Sequence, residues 1–291
     1  MKVVGFSFVR NAIKLDYPVV EAINSILPLC DEVIVAVGNS DDDTLNIVQA
    51  LDPQKIKIIP TIWDDSLRTG GRVLAVETDK AFAQVTTEAD WAFYIQADEV
   101  VHEKDYDAIR KAMLQWKDNP KVEGLLFKYL HFYGSYDYVG DSRKWYRNEI
   151  RIIRPKKDIF AYRDAQGFRK KPNEKLTVKP IEAHIYHYGW VREPFKQLEK
   201  QKAFQRLSHD DEWLAENIPQ QKEFDYRLAI DSLQKFKGTH PTVMHKRIAN
   251  ISWKFEYDIN QKNYDTRVAL LMWLEKYTGW RIGEYKNYKI I

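Results

Sequence analysis

The run EVIVAVG at residues 32–38 constrains the fold most, because it is apolar from Val33 to Gly38 and ends abruptly in the polar stretch NSDDDT. Such a run is typical of a strand buried on both faces. Three more β-rich runs share this half of the chain: KVVGFSFV (2–9), KIKIIPTIW (55–63) and WAFYI (91–95). Residues with helical spacing lie between or after them, at 19–27, 44–51, 72–85 and 106–116. We therefore predict an α/β fold with a mostly parallel central sheet flanked by helices.

The pattern changes after residue 121. The segments 122–134, 149–155 and 182–190 have strand character, with no helical segment between them. Residues 193–207 and 224–236 have helical character, and we expect further helices, packed on the sheet domain, within 240–291. The sequence thus predicts one α/β domain at 1–190 and a helical C-terminal extension at 191–291.

Composition narrows the class of protein. The chain has 291 residues, of which 44% are hydrophobic and 30% charged, as in globular proteins. A net charge of +3 is too small to indicate a nucleic-acid partner. A single cysteine, Cys30, excludes an intrachain disulfide, and no apolar run approaches the length of a membrane span. We therefore predict a cytoplasmic protein, with peripheral contact at the inner face of the membrane left open.

Polar residues follow each of the four predicted parallel strands, at the sheet edge where α/β proteins bind ligands. They are Arg10 and Asn11, the stretch 39–44, the stretch 64–72 with Gly70 and Gly71, and Gln96 with Asp98 and Glu99. Acids, amides and arginines together indicate a ligand with anionic and hydroxyl groups, and a divalent cation. The sequence has no P-loop, no GxGxxG after the first strand, and neither CxxC nor HExxH.

The order and spacing of VRN (9–11), NSDDDT (39–44), GGR (70–72) and WAFYIQADE (91–99) resemble family 2 glycosyltransferases with the GT-A fold. The resemblance covers residues 1–115 best and continues more loosely through FRKKPNEKL and HIYHYGW. It implies that residues 1–190 form a GT-A nucleotide-sugar-binding and catalytic domain. It also implies transfer of a sugar from a nucleotide-diphosphate sugar, UDP- or GDP-linked, to a glycan, lipid-linked or protein acceptor.

The resemblance also implies roles for individual residues. Asp98 and His187 would hold Mn²⁺ or Mg²⁺, with His184 as the second choice; strand alternation puts residues 184 and 187 on opposite faces. The residues that it places at the donor are Phe8, Val9, Arg10, Asn39, Asp42, Arg72, Gln96, Ala97 and Asp98.

Inverting transfer, the mode of this family, needs a carboxylate base. Glu174 in PNEKL is the best match and Asp164 the second. Trp145, Tyr146 and Trp190 either stack on a sugar or pack in the core.

The chain departs from the family pattern at a position that bears on the metal. Gln96 stands where the family has the first acid of its DxD motif, and an amide supplies no charge to a cation.

Two other functions stay open at this point. One is a nucleotidyltransferase, although the segment SFVRNAIKL lacks the glycine-rich basic loop that such enzymes carry after the first strand. The other is a non-catalytic nucleotide- or glycan-binding protein on a transferase scaffold, which Gln96 keeps open.

Overall fold

The computed structural model describes residues 1–217 and 221–291. Its strands are β1 (Val3–Val9), β2 (Glu32–Gly38), β3 (Ile56–Thr61), β4 (Trp91–Tyr94), β5 (Glu99–Val101), β6 (Gly124–Tyr133), β7 (Ser135–Gly140), β8 (Asn148–Ile153), β9 (Ile159–Tyr162), β10 (Gly167–Lys170), β11 (Glu174–Trp190), β12 (Leu233–Lys235) and β13 (Tyr288–Ile290). Its α-helices are α1 (Val19–Ile26), α2 (Thr44–Gln49), α3 (Arg72–Phe82), α4 (Tyr106–Trp116), α5 (Pro194–Arg206), α6 (Asp211–Asn217), α7 (His245–Ala249) and α8 (Thr266–Thr278).

The strands pair in one mixed sheet whose main path runs β3-β2-β1-β4-β8-β6-β11-β10-β9. The first four strands are parallel, as predicted. Strand β8 runs antiparallel to both β4 and β6, whereas β6 and β11 are parallel to each other. The predicted α/β fold and the change to mixed pairing in the second half are therefore both confirmed.

The parallel half of the sheet is covered on both faces, which explains its unbroken apolar runs. In β2, Val35 belongs to a core that also contains residues of α1 and α4. The next residue back, Ile34, points to the opposite face and packs in a second core with residues of α3. Alternate residues of one strand thus enter different cores, so β2 is apolar on both faces from Val33 onward.

The prediction of a helix at 224–236 is wrong. The segment is irregular until β12, which pairs with β7. Its aromatic rings are held by tertiary contacts: Phe224 packs on Trp190, Tyr226 packs on Tyr133, and the Tyr226 hydroxyl donates to the Arg192 carbonyl at 2.8 Å. These contacts outweigh the helical spacing, which is a weak signal on its own.

Residues 191–291 contain α5 to α8 together with two short strands, of which β13 joins β11. The last helix, α8, buries none of its residues, and Trp273 and Tyr277 are 56% and 68% exposed. An ion pair between Arg143 and Glu275, 2.6 Å long, connects α8 to the rest of the chain. In the described part of the chain, no helix combines the length and hydrophobicity that crossing a bilayer requires.

Candidate functional site

A cavity of about 950 Å³ lies at the carboxyl ends of the parallel strands. Its walls come from the ends of β1, β4 and β11, from the loops around residues 63–68 and 164–166, and from α5. This is the edge at which open α/β sheets bind ligands, and the volume suits a molecule the size of a nucleotide. Eight of the residues predicted at the donor, the metal or the base line it: Phe8, Val9, Arg10, Gln96, Ala97, Asp98, Asp164 and His187. Of the three aromatic candidates, Tyr146 and Trp190 line it and Trp145 does not.

Asp98 lines the cavity and forms an ion pair with Lys200 of α5. The Lys200 ammonium donates to Oδ2 of Asp98 at 3.1 Å and to the carbonyl of Gly189 at 2.9 Å. Burial alone would raise the pKa of the Asp98 carboxyl, but Lys200, His187 and Arg192 hold it well below its usual value. Asp98 is therefore ionised at neutral pH, and its charge is balanced by a lysine.

A second buried cation, Arg192, acts on the charge of Asp98. Arg192 is fully buried, its guanidinium lies 5.2 Å from the ring centre of Tyr17, and Tyr17 lines the cavity. Nε and Nη2 of Arg192 have no hydrogen-bond partner within the described residues. Two cations, Lys200 and Arg192, thus face one carboxylate, and the cluster keeps an excess positive charge.

His187 approaches Asp98, with Nε2 3.8 Å from Oδ2. Its Nδ1 lies 3.0 Å from Nδ1 of His131, whose Nε2 lies 2.8 Å from the Tyr146 carbonyl. A carbonyl only accepts, so Nε2 of His131 carries a proton, and burial lowers the pKa of His131 well below its usual value. His131 is therefore neutral, and its Nδ1 accepts a hydrogen bond from Nδ1–H of His187, which leaves Nε2 of His187 on the side that faces Asp98.

Gln96 donates rather than accepts at this site. Its Nε2 lies 3.1 Å from the Ala165 carbonyl and 3.2 Å from the Tyr94 hydroxyl. A carboxylate at position 96 would face the Ala165 carbonyl as acceptor against acceptor. The amide therefore has a structural reason to stand where the resemblance leads one to expect an acid.

Glu99 points away from Asp98 and into the sheet. Nε and Nη2 of Arg151 donate to its two carboxylate oxygens at 2.7 and 2.6 Å, and both side chains are fully buried. The same guanidinium donates through Nη1 to the Gln166 carbonyl at 2.8 Å. The Glu99–Arg151 ion pair thus fixes the backbone of the loop that follows β9.

That loop carries Asp164 into the cavity. Its two neighbours, Arg163 and Ala165, have φ angles of 57° and 63°, in the left-handed region that costs non-glycine residues energy. Gly71, at the start of α3, has a φ of 71°, and a Cβ there would lie 2.9 Å from Cβ of Asp164. The loop is therefore strained and closely packed, and Gln96 and Arg151 hold it in place.

The other predicted residues lie outside the cavity wall. Asn39 accepts from the backbone of Trp63 at 3.1 Å, and Asp42 accepts from the backbone of Lys14 at 2.7 Å, so both brace neighbouring loops. Arg72 is exposed at the start of α3.

Two further candidates are distant or turned away. Glu174 is exposed at the start of the 17-residue strand β11, whereas His187 lies near its other end. At about 3.3 Å per residue, roughly 40 Å of strand separates them. His184 turns away from the cavity, with Nδ1 3.6 Å from Asp105, as alternation predicts.

Lys200 and Arg192 are the residues that sequence reasoning missed. A lysine in a polar helix such as α5 has the pattern of a solvated face, and nothing in its spacing marks it as buried. Arg192 had one signal: it lies two residues after the end of β11 in the segment WVRE, much as Arg10 follows β1 in FVRN.

The residues brought together fit a divalent cation poorly. Within the described ranges, no three His, Cys, Asp or Glu side chains form a group that could hold a metal ion. Asp98 and His187 are close to each other, but Oδ2 of Asp98 already accepts from Lys200. An ion bound to that oxygen would lie within about 5 Å of the ammonium, at a substantial repulsive cost in a buried site.

Comparisons with known proteins find similarity at the level of solved structures. No protein-family model matches the chain, and no curated protein matches it. A structure of S. aureus TarS 1–349 in complex with UDP-GlcNAc is 15% identical over 76% of this chain and 68% of that one, with a TM-score of 0.40. Glucosyl-3-phosphoglycerate synthase from Mycobacterium tuberculosis, in complex with Mn²⁺, UDP and phosphoglyceric acid, is 19% identical over 45% of this chain and 43% of that one, with a TM-score of 0.30. A 4-diphosphocytidyl-2C-methyl-D-erythritol synthase from Anaerococcus prevotii DSM 20548 is 10% identical over 53% and 71%, with a TM-score of 0.32.

Proposed function

We propose that this protein is an inverting glycosyltransferase of the GT-A type, which transfers a sugar from a nucleoside-diphosphate sugar to a hydroxyl of a glycan, lipid-linked or protein acceptor. The observation that carries the proposal is the convergence, on one cavity, of the end of β1, a buried cationic cluster and Asp164. Sugar transfer from a nucleotide sugar needs these three features: a surface that binds the nucleoside, positive charge that binds the diphosphate, and a base that takes the proton of the acceptor hydroxyl.

The diphosphate would lie between β1 and α5. Arg10 lines this side of the cavity and forms a 2.7 Å ion pair with the exposed carboxylate of Asp65, a partner that an anionic ligand would displace at little cost. Its Nε has no hydrogen-bond partner among the described residues. The aromatic rings of Phe8 and Trp63, 5.9 Å apart, line the adjacent wall and offer an apolar surface to a base.

Transfer moves one sugar and one proton. The acceptor oxygen forms a bond to the anomeric carbon on the face opposite the diphosphate, and the bond from that carbon to the diphosphate oxygen breaks with its electron pair on the leaving group. The acceptor proton passes to a carboxylate. We assign that carboxylate to Asp164, because it lines the cavity whereas Glu174 does not.

A binding and turnover screen tests this function. Calorimetry with UDP-, GDP-, dTDP- and CMP-sugars identifies the donor, and release of free nucleotide from the bound donor reports turnover. We expect one nucleoside-diphosphate sugar to bind and to release its nucleotide faster when sugar acceptors are added. Donor binding without any release would favour a non-catalytic binding protein. Pyrophosphate release from a nucleoside triphosphate would favour the nucleotidyltransferase.

A further inference from the structure

The ion pair between Lys200 and Asp98 bears on how the negative charge of a diphosphate would be balanced in this cavity. We propose that the Lys200 ammonium, supported by Arg192, supplies the positive charge that a divalent cation would otherwise supply to the diphosphate of the donor. This inference rests on the proposed function, since it assigns the means by which that same site holds its leaving group.

The first support is the position of the ammonium. Lys200 lines the cavity, and its side chain is 12% exposed. Of the three N–H groups of a lysine, one points to Asp98 and one to the Gly189 carbonyl, which leaves one donor for a ligand. The ring of Tyr17 lies 5.0 Å from Nζ and fixes the ammonium from another side.

The second support is the charge balance. Asp98 neutralises one of the two buried cations, so Lys200 and Arg192 together retain one positive charge in a region shielded from water. Arg192 has two unpartnered nitrogen atoms and full burial, and leaving such a charge unpaired is costly unless an anion approaches. A diphosphate in the adjacent cavity provides that anion.

The third support is the space beside Asp98. A Cβ at Gly189 would lie 2.5 Å from Nε2 of His187 and 2.8 Å from Oδ2 of Asp98. The backbone of β11 therefore packs directly against the two atoms that would coordinate a cation, and the Lys200 ammonium approaches the carboxylate from α5. Asp98 therefore has Lys200 as its partner at the position where a metal ion would otherwise lie.

Calorimetry of nucleoside diphosphates tests the inference. UDP, GDP, dTDP and CDP are titrated into the full chain with excess EDTA, and again with MnCl₂. We expect one of them to bind in EDTA, with Mn²⁺ changing its Kd by less than about threefold. Lys200→Met should weaken that binding by about tenfold or more, the loss of one charge-assisted hydrogen bond, and Lys200→Arg should retain most of it. Lys196→Met, one turn earlier on α5 and outside the cavity wall, should bind like the wild type.

The variant Asp98→Asn distinguishes a diphosphate that is held by Lys200 from one that is held by a metal ion. If Lys200 is the counter-charge, loss of the carboxylate removes a repulsion and frees the ammonium, so the nucleotide binds in EDTA at least as tightly as before. If a metal is the counter-charge, the same variant loses binding. Binding that requires Mn²⁺ and is unchanged in Lys200→Met would overturn the inference and leave the proposed function standing. Absence of nucleotide binding under both conditions would instead overturn the proposed function itself.

Discussion

Glu99 and Arg151 form a fully buried, two-point ion pair in the centre of the sheet, with hydrogen bonds of 2.7 and 2.6 Å. The Tyr129 hydroxyl adds a third bond to Glu99 at 2.7 Å. The adjacent carboxylates Asp98 and Glu99 therefore have different partners and different roles. Asp98 belongs to the cavity, whereas Glu99 anchors the guanidinium that holds the loop carrying Asp164.

Loss of Arg151 should destabilise the fold. In Arg151→Met the Glu99 carboxylate stays buried without its cation, and we expect the free energy of unfolding to fall by about 3–5 kcal/mol in urea denaturation. The exposed pair Lys128–Glu182 provides the matched control, because Lys128→Met should cost less than about 1 kcal/mol. Equal losses in the two variants would show that Arg151 is not a structural anchor.

The substitution Gln96→Asp should destabilise the folded protein. The new carboxylate would lose the hydrogen bond to the Ala165 carbonyl and face it as a second acceptor. We expect a loss of about 1–3 kcal/mol in unfolding free energy, with no thermal stabilisation by Mn²⁺. The exposed Gln84→Asp serves as control and should stay within about 0.5 kcal/mol of the wild type. Strong stabilisation of Gln96→Asp by Mn²⁺ would mean that the site accepts a metal after a single substitution.

Asp164→Asn should abolish turnover and leave donor binding intact. A missing general base typically costs a factor of about 10²–10⁴ in kcat, while the nucleotide Kd depends on other residues. Release of nucleotide from the donor measures the first quantity and calorimetry the second. Glu174→Gln, at the far end of β11, should turn over like the wild type. The reverse result, with Glu174→Gln inactive and Asp164→Asn active, would return the base to the position that the sequence favoured.

Glu149 should contribute a loss of stability as pH rises from about 4.5 towards 8. Burial raises the pKa of this carboxyl from 4.5 to about 8, although Arg151 and Gln166 oppose the shift. In that range the folded state keeps a proton that the unfolded state has released, so the free energy of unfolding decreases with pH. Glu149→Gln should flatten the decrease in urea titrations between these pH values. An unchanged slope in that variant would assign the pH dependence to other groups.

The apolar runs predicted the sheet because a continuous apolar run is typical of a strand whose two faces are both buried. The four parallel strands and the helices α1 to α4 appear where the periodicity places them. Residues 224–236 have equally helical spacing, but Tyr226 and Phe224 are fixed by rings from distant strands, which no local pattern encodes. The start of β11 at Glu174, ahead of the predicted strand at 182–190, likewise depends on pairing with β10 and β13.

The sequence predicted that polar residues would meet at one edge of the sheet, but it did not predict the charged residues that other elements bring to that edge. Polar residues at strand ends identified Arg10, Gln96 and Asp98, since parallel strands bring their carboxyl ends to one edge. Lys200 comes from a helix beyond the sheet, and its burial against Asp98 is a property of the assembled fold. Our proposal of Asp164 rather than Glu174 as the base rests on the length of β11, which separates Glu174 from the cavity.

A crystal structure of the protein with its bound sugar nucleotide, grown in excess EDTA, tests the central claim most directly. We predict that the nucleoside lies beside Phe8 and Trp63, that a diphosphate oxygen accepts a hydrogen bond from Nζ of Lys200, and that the anomeric carbon faces Asp164. A nucleotide bound elsewhere on the chain, with this cavity empty at saturating donor, would contradict the account.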